Sequence, residues 1–199
     1  STRTRVSFEA GMVQLGGAAI FLPQRDTQLS RGEPVADLAR VLSGYVDAIM
    51  MRTHLHEDVR TLAQHASVPV INGLDEVYHP CQVLADLQTI LELRGTLQGK
   101  QFVYVGDGNN MAHSLMLGSA LAGMHARVVC PVGYEPDAGI VAQAQRCGAA
   151  SGASIDVTTD LAGVDGADIV YTDVWISMGQ DSEALLRREA FASYEVTEA

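Results

Sequence analysis

Phe102-Val103-Tyr104-Val105-Gly106-Asp107-Gly108-Asn109-Asn110-Met111 is the stretch that decides the fold. Residues 102–105 read as a short apolar strand, the Gly-Asp-Gly-Asn segment as a turn, and the run 112–122 as a helix. Strand, glycine turn and helix in succession is the building unit of a parallel α/β sheet. The turn invites a dinucleotide-binding reading, but Met111 stands where that fingerprint needs its third glycine. Val129-Cys130-Pro131, at the end of the next apolar run, also supplies no acid for a ribose. A Rossmann-like fold without an NAD site is therefore expected.

The same rhythm continues outward in both directions. Short apolar runs at 18–22, 48–51, 68–71, 126–130, 154–157 and 169–172 read as further strands. Amphipathic segments at 6–15, 34–43, 57–65, 80–94, 137–147 and 182–190 read as helices, with Pro34 and Pro80 suited to first-turn positions that need no N–H. Arg94-Gly95-Thr96-Leu97-Gln98-Gly99-Lys100 interrupts the alternation with two glycines and polar residues. It separates two small α/β domains, 1–94 and 100–199. Each is expected to be a parallel sheet flanked by helices.

Composition narrows the partners. The 199 residues carry a formal net charge of -11, which argues against nucleic acid or an anionic membrane. Arginines clustered locally in so acidic a chain suit a small-anion pocket. Three cysteines, Cys81, Cys130 and Cys147, have no CxxC spacing, so neither a disulfide framework nor a zinc ribbon is expected and a reducing compartment is the default. No run is long and apolar enough to span a bilayer, and no signal peptide is visible.

Chemistry-bearing residues gather at the ends of the expected strands and the starts of helices, where open α/β sheets bind ligands. Ser1-Thr2-Arg3-Thr4-Arg5 precedes an apolar helical pattern. Unpaired N–H groups and a positive dipole end favour anions there, and arginine adds a donor fork matched to phosphate oxygens. Capping accounts for one hydroxyl but not for two arginines in one turn, so an oxyanion site is the reading. The motif stands at residue 1 with no initiator Met and no lead-in strand, and the chain is expected to be an internal piece of a longer protein.

Arg52 closes the strand reading at 48–51 and points toward the same kind of crevice. Tyr78-His79-Pro80-Cys81-Gln82 ends a loop and opens a helix, so His79 and Gln82 can face one point. A neutral imidazole can polarise a carbonyl, and a glutamine amide can orient an NH₂ group. Cys81 reads as a packing residue. Asn110 is either a turn residue or a hydrogen-bonding partner for a polar substrate. Asp173-Val174-Trp175-Ile176-Ser177-Met178-Gly179 offers an ammonium partner and a polar loop able to close over a ligand. His54, His56 and His65 lack a second ligand pair at useful spacing and read as solvated, so no metal is expected.

Taken together, these motifs closely resemble the carbamoyltransferases, ornithine carbamoyltransferases in particular. The matching pieces are residues 1–5 with Ser7-Phe8-Glu9, then Met51-Arg52-Thr53, His79-Pro80-Cys81-Gln82, residues 106–110, and Asp173 with Ser177-Met178-Gly179. They fall in family order at family-like spacing, and the Asp…Ser-Met-Gly loop favours ornithine over aspartate. The resemblance implies a carbamoyl phosphate half and an amino-acid half, in a trimer or a multiple of trimers with sites at subunit interfaces, and no cofactor. It implies that Ser1, Thr2, Arg3, Thr4 and Arg52 hold the phosphate. Thr4, Arg52 and His79 polarise the carbamoyl oxygen, and Gln82 holds the carbamoyl nitrogen. Asn110, Asp173, Ser177 and Met178 contact L-ornithine, and Gln28 reaches phosphate from a neighbouring subunit.

The expected reaction gives L-citrulline and phosphate in arginine metabolism, in the cytoplasm or, in a eukaryote, the mitochondrial matrix. The chain departs from the family's pattern at both ends, lacking the lead-in to the first helix and the His-Cys-Leu-Pro loop with the final helices. Other amine acceptors, namely putrescine, an acylated ornithine or aspartate, are the alternatives within the class. A non-catalytic carbamoyl phosphate-binding remnant is the alternative outside it. Arg3, Arg52, His79 and Asp173 standing together disfavour a decayed site.

Overall fold

The computed structural model describes residues 2–176 and 181–197. The backbone divides into two compact units, Ser1–Gly73 and Leu74–Ala199.

The first unit opens with α1 (Thr2–Gln14), which buries none of its residues. Two short 3-10 turns follow, then α2 (Val35–Leu42), β1 (Ile49–Arg52) and α3 (His56–His65), and β2 (Val70–Leu74) closes it. β1 and β2 form a two-stranded sheet. The buried side chains of this unit are the apolar stripes of α2 and α3: Ala39, Val59 and Leu62. The strand expected at 18–22 is absent. Gly16, at φ 84°, turns the chain out of α1, and residues 17–23 form neither helix nor strand. Ile20, Phe21 and Leu22 are exposed, so an apolar run with no strand beside it to complete its backbone hydrogen bonds stays outside the sheet.

The second unit is a four-stranded parallel sheet in the order β5-β4-β3-β6: β3 (Gln101–Val105), β4 (His125–Val129), β5 (Ile155–Thr158) and β6 (Ile169–Thr172). Its helices are α4 (Pro80–Arg94), α5 (Asn110–Leu121), α6 (Ala138–Ser151) and α7 (Ala184–Phe191). Strand periodicity sorts the core into two layers. Phe102 and Tyr104 on β3 and Ala126 and Val128 on β4 face a cluster with α4, α5 and α6 through Val83, Ile90, Met111, Leu115, Met116 and Ala144. Val103, Val105 and Val129 face the opposite side, toward Val164, Ala167 and Tyr194. A central strand apolar on both faces is the mark of a parallel sheet covered on both sides.

The turn after β3 is set by local chemistry. Gly108 approaches the backbone of residues 134–136 so closely that a Cβ would overlap it. Asn109 then caps α5, its Oδ1 accepting from the amides of Met111 and Ala112. Asp137 caps α6 in the same way, through Gly139 and Ile140. The chain is α/β, with a parallel sheet flanked by helices. Among the described residues no helix is long and apolar enough to cross a membrane.

Candidate functional site

In the first unit the structure brings Thr4 and Arg52 together. The expected helix start moves back, so Thr2, Arg3, Thr4 and Arg5 form the first turn of α1 and do not precede it. β1 ends on Arg52, which is half-buried, and its Nη1 donates to Thr4 Oγ1 at 2.9 Å. Loss of hydration draws the Arg52 pKa below the ordinary arginine value. A guanidinium beside a helix's first turn, partly stripped of water, is suited to an anion.

Thr2 and Arg3 are exposed on that turn. Arg5, the second arginine of the motif, is engaged elsewhere: its Nε meets Glu9 at 2.8 Å and its guanidinium lies 4.0 Å from the Phe21 ring centre. Gln28 is exposed on the second 3-10 turn, and its Oε1 accepts from Arg31 Nη1 at 3.4 Å. Ser1 lies outside the described residues.

In the second unit, the loop before α4 is organised by Asp75, which is fully buried. Its Oδ1 accepts from the amides of Val77 at 2.8 Å and Tyr78 at 2.7 Å, and its own amide donates to the Tyr78 carbonyl at 2.9 Å. This closed turn delivers His79 to the N-cap of α4, ahead of Pro80 at the first helical position. The His79 amide donates to Ser114 Oγ at 2.7 Å.

Gln82 lies one turn into α4, and its Nε2 donates to Asp86 Oδ1 at 2.9 Å. An ionised carboxylate only accepts, so Asp86 takes one of the two Gln82 Nε2–H groups and orients the amide with Oε1 left to accept from a ligand N–H. Burial pushes the Asp86 pKa up, its bond to Gln82 and the nearby Tyr171 hydroxyl oppose that, and the charge of Asp173 adds to it. Asp173, half-buried just past β6, is thus an electrostatic neighbour of Asp86.

Asn110 opens α5, and its Nδ2 donates to the Asp75 carbonyl at 2.8 Å. Ser177 and Met178 lie outside the described residues. The sequence reading missed Asp75, Asp86 and Ser114, the partners that hold the candidate residues in place. Ser114 was accessible to it in principle, since it stands four residues after Asn110 and so on the same helix face. It also missed the Asp107–Arg187 pair, which joins residues 80 positions apart and leaves no local trace.

Two family models match the chain. The carbamoyl-P binding domain of aspartate/ornithine carbamoyltransferase covers residues 1–92, and the Asp/Orn binding domain covers residues 98–199. The ornithine carbamoyltransferase of Oceanobacillus iheyensis is 57% identical over 200 residues, covering 100% of this chain and 62% of the relative. An anabolic ornithine carbamoyltransferase of Pyrococcus furiosus is 54% identical over 197 residues, covering 98% of this chain and 62% of the relative. A solved Pyrococcus furiosus ornithine carbamoyltransferase superposes with a TM-score of 0.94 at 53% identity, covering 100% of this chain and 64% of that one. The chain therefore spans less than two thirds of the length of these relatives.

Proposed function

The chain belongs to the aspartate/ornithine carbamoyltransferase family, and we propose that the protein carrying it transfers the carbamoyl group of carbamoyl phosphate to the δ-amine of L-ornithine. The products are L-citrulline and phosphate. The observation that supports this most directly is the Arg52–Thr4 contact in the first turn of α1: a half-buried guanidinium beside a hydroxyl and a helix N-terminus. Such a place suits a phosphate whose charge grows as it leaves.

In this reading residues 1–94 bind carbamoyl phosphate and residues 100–199 bind ornithine. Ser1, Thr2, Arg3, Thr4 and Arg52 hold the phosphate. Thr4, Arg52 and His79 donate to the carbamoyl oxygen, where the tetrahedral oxyanion develops when the amine attacks. Gln82, its Nε2 held by Asp86, accepts from the carbamoyl NH₂ through Oε1. Asp173 pairs with the α-ammonium of ornithine, with Asn110, Ser177 and Met178 completing that pocket. Gln28 reaches the phosphate of a neighbouring subunit in a trimer. The setting is cytoplasmic, or the mitochondrial matrix in a eukaryote.

No covalent intermediate is required. Catalysis rests on orientation, worth about 7–11 kcal/mol for well-placed reactants, and on donors aimed at the oxyanion, worth about 3–4 kcal/mol each. The test is citrulline formation from carbamoyl phosphate and L-ornithine by the full-length protein, with putrescine, N-acetylornithine and aspartate in parallel. Preferred turnover of ornithine supports the reading. Preferred turnover of another amine overturns the substrate, and turnover of none overturns the reaction.

A further inference from the structure

Three residues on one face of α5 hold the loop that presents His79. Asn110, His113 and Ser114 stand at spacings of three and four, so their side chains project together. Asn110 Nδ2 donates to the Asp75 carbonyl at 2.8 Å, and Ser114 Oγ accepts from the His79 amide at 2.7 Å. Between them, His113 Nδ1 meets the Val77 carbonyl at 2.9 Å, and the Asp137 amide donates to His113 Nε2 at 3.1 Å.

These two contacts fix the state of the His113 ring. A carbonyl only accepts, so Nδ1 carries the proton; an amide N–H only donates, so Nε2 is bare. The ring is neutral, in one tautomer, and cannot gain a proton without losing the Asp137 amide. His113 is 8% exposed and Ser114 5%. The Tyr78 ring packs edge-on to His113 at 6.4 Å. Burial lowers the His113 pKa, while its bond to the Val77 carbonyl and the charges of Asp137 and Asp107 oppose that shift. The neutral ring and the geometry agree.

We propose that His113 is a positioning residue for His79. It grips the 75–79 loop through Nδ1–H and ties that loop to the start of α6 through Nε2, while Ser114 fixes the His79 amide. This rests on the reading of His79 as a donor to the carbamoyl oxygen. A displacement on the order of 1 Å at such a donor lowers turnover by up to about a hundredfold.

The experiment reads His79 directly, with and without turnover. The full-length protein is treated with diethyl pyrocarbonate across pH, and carbethoxylation of each histidine is followed by peptide mass spectrometry. His113→Phe keeps the ring's bulk and removes both polar contacts. Ser114→Ala removes only the acceptor for the His79 amide, and covers the case in which His113→Phe does not fold. His113→Asn keeps a donor near the Nδ1 position.

The expected result is a changed rate and pH midpoint at His79 in His113→Phe and Ser114→Ala, with exposed His54 and His65 unchanged and partial return in His113→Asn. The kcat is expected to fall with His79's displacement while KM for ornithine holds. Lower thermal stability with unaltered His79 reactivity and unaltered kcat of the folded fraction overturns the proposal. A shifted His79 reactivity in a protein that transfers no carbamoyl group supports the positioning and overturns the assigned reaction instead.

Discussion

Arg187 Nη1 donates to Asp107 Oδ2 across 2.8 Å, with the two side chains only 9% and 8% exposed. The same guanidinium reaches Glu183 at 3.1 Å and the Trp175 carbonyl at 3.2 Å, and lies 5.1 Å from the Tyr134 ring centre. It thereby joins the turn after β3 to the chain on both sides of residues 177–180. Removing one partner of a buried pair leaves an uncompensated charge, at a cost of about 3–5 kcal/mol. Arg187→Met is expected to destabilise by that order in urea denaturation, and the double variant Asp107→Leu/Arg187→Met to regain most of the loss. A single variant within about 0.5 kcal/mol of the unaltered protein contradicts the pair's role.

Arg52→Ala tests the anion site. Loss of an oxyanion or phosphate donor of this kind is expected to lower kcat about a hundredfold or more. Thr4→Val removes the hydroxyl that meets Arg52 and that the proposed reading places on carbamoyl phosphate, and is expected to raise KM for carbamoyl phosphate and to lower kcat less than Arg52→Ala does. Steady-state kinetics on the full-length protein separate the two. Near-normal kcat in Arg52→Ala removes Arg52 from the mechanism.

Asp75→Ala strips two part-buried backbone amides of the acceptor that this fully buried side chain supplies. Each buried donor left unpaired costs about 1–3 kcal/mol, so a fall in thermal midpoint is expected together with a loss of turnover through the displaced His79. Asp75→Asn keeps an acceptor oxygen and is expected to be milder in both readouts. Equal effects of the two substitutions count against the turn as drawn.

Gly108→Ala places a methyl group into the backbone of residues 134–136. Because a backbone segment cannot swing aside as a side chain does, overpacking of at least about 1–3 kcal/mol is expected, read from a chemical denaturation midpoint. Unchanged stability means that the 134–136 segment is free to move.

Asp168 ties the start of β3 to the start of β6. Its Oδ2 accepts from the Gln101 amide at 2.9 Å and its Oδ1 from Lys100 Nζ at 3.2 Å. The Gln101 amide first, and Lys100 second, hold its pKa below the ordinary 3.8. A carboxylate with a depressed folded-state pKa stabilises above the unfolded value, and that contribution is lost as pH falls through the folded one. The thermal midpoint of Asp168→Asn is therefore expected to lie below that of the unaltered protein at neutral pH. The gap is expected to close as the pH drops below 3.8. A gap that persists in acid excludes this carboxylate as its source.

The reach of the sequence can be judged element by element. β3, β4, β5 and β6 lie within two residues of their expected places, because apolar runs of four or five residues bounded by Gly, Pro and polar turns read as strands without outside information. The 18–22 run has the same local appearance and forms no strand, since a strand needs a neighbour and composition does not announce one. Pro80 marked a helix start through its missing N–H, while the segment from 137 was read from its amphipathic period and its Asp137 cap appears in the fold. Arg5 belonged to the right motif, yet its guanidinium is turned to Glu9 and Phe21, a choice made by side-chain neighbours.

The sequence by itself determined the α/β class, the family, and the residue types on which the proposed chemistry depends. Hydrophobic period, glycine turns and motif order are all local properties, written along the chain. Tertiary structure decided which side chains are brought together: Arg52 with Thr4, the Gln82 amide with Asp86, and His113 with the Val77 carbonyl and the Asp137 amide. Hydrogen bonds and ion pairs act over about 3 Å in space, whatever the separation in sequence. Asp107 and Arg187, 80 residues apart, meet only because the folded backbone carries them to the same place.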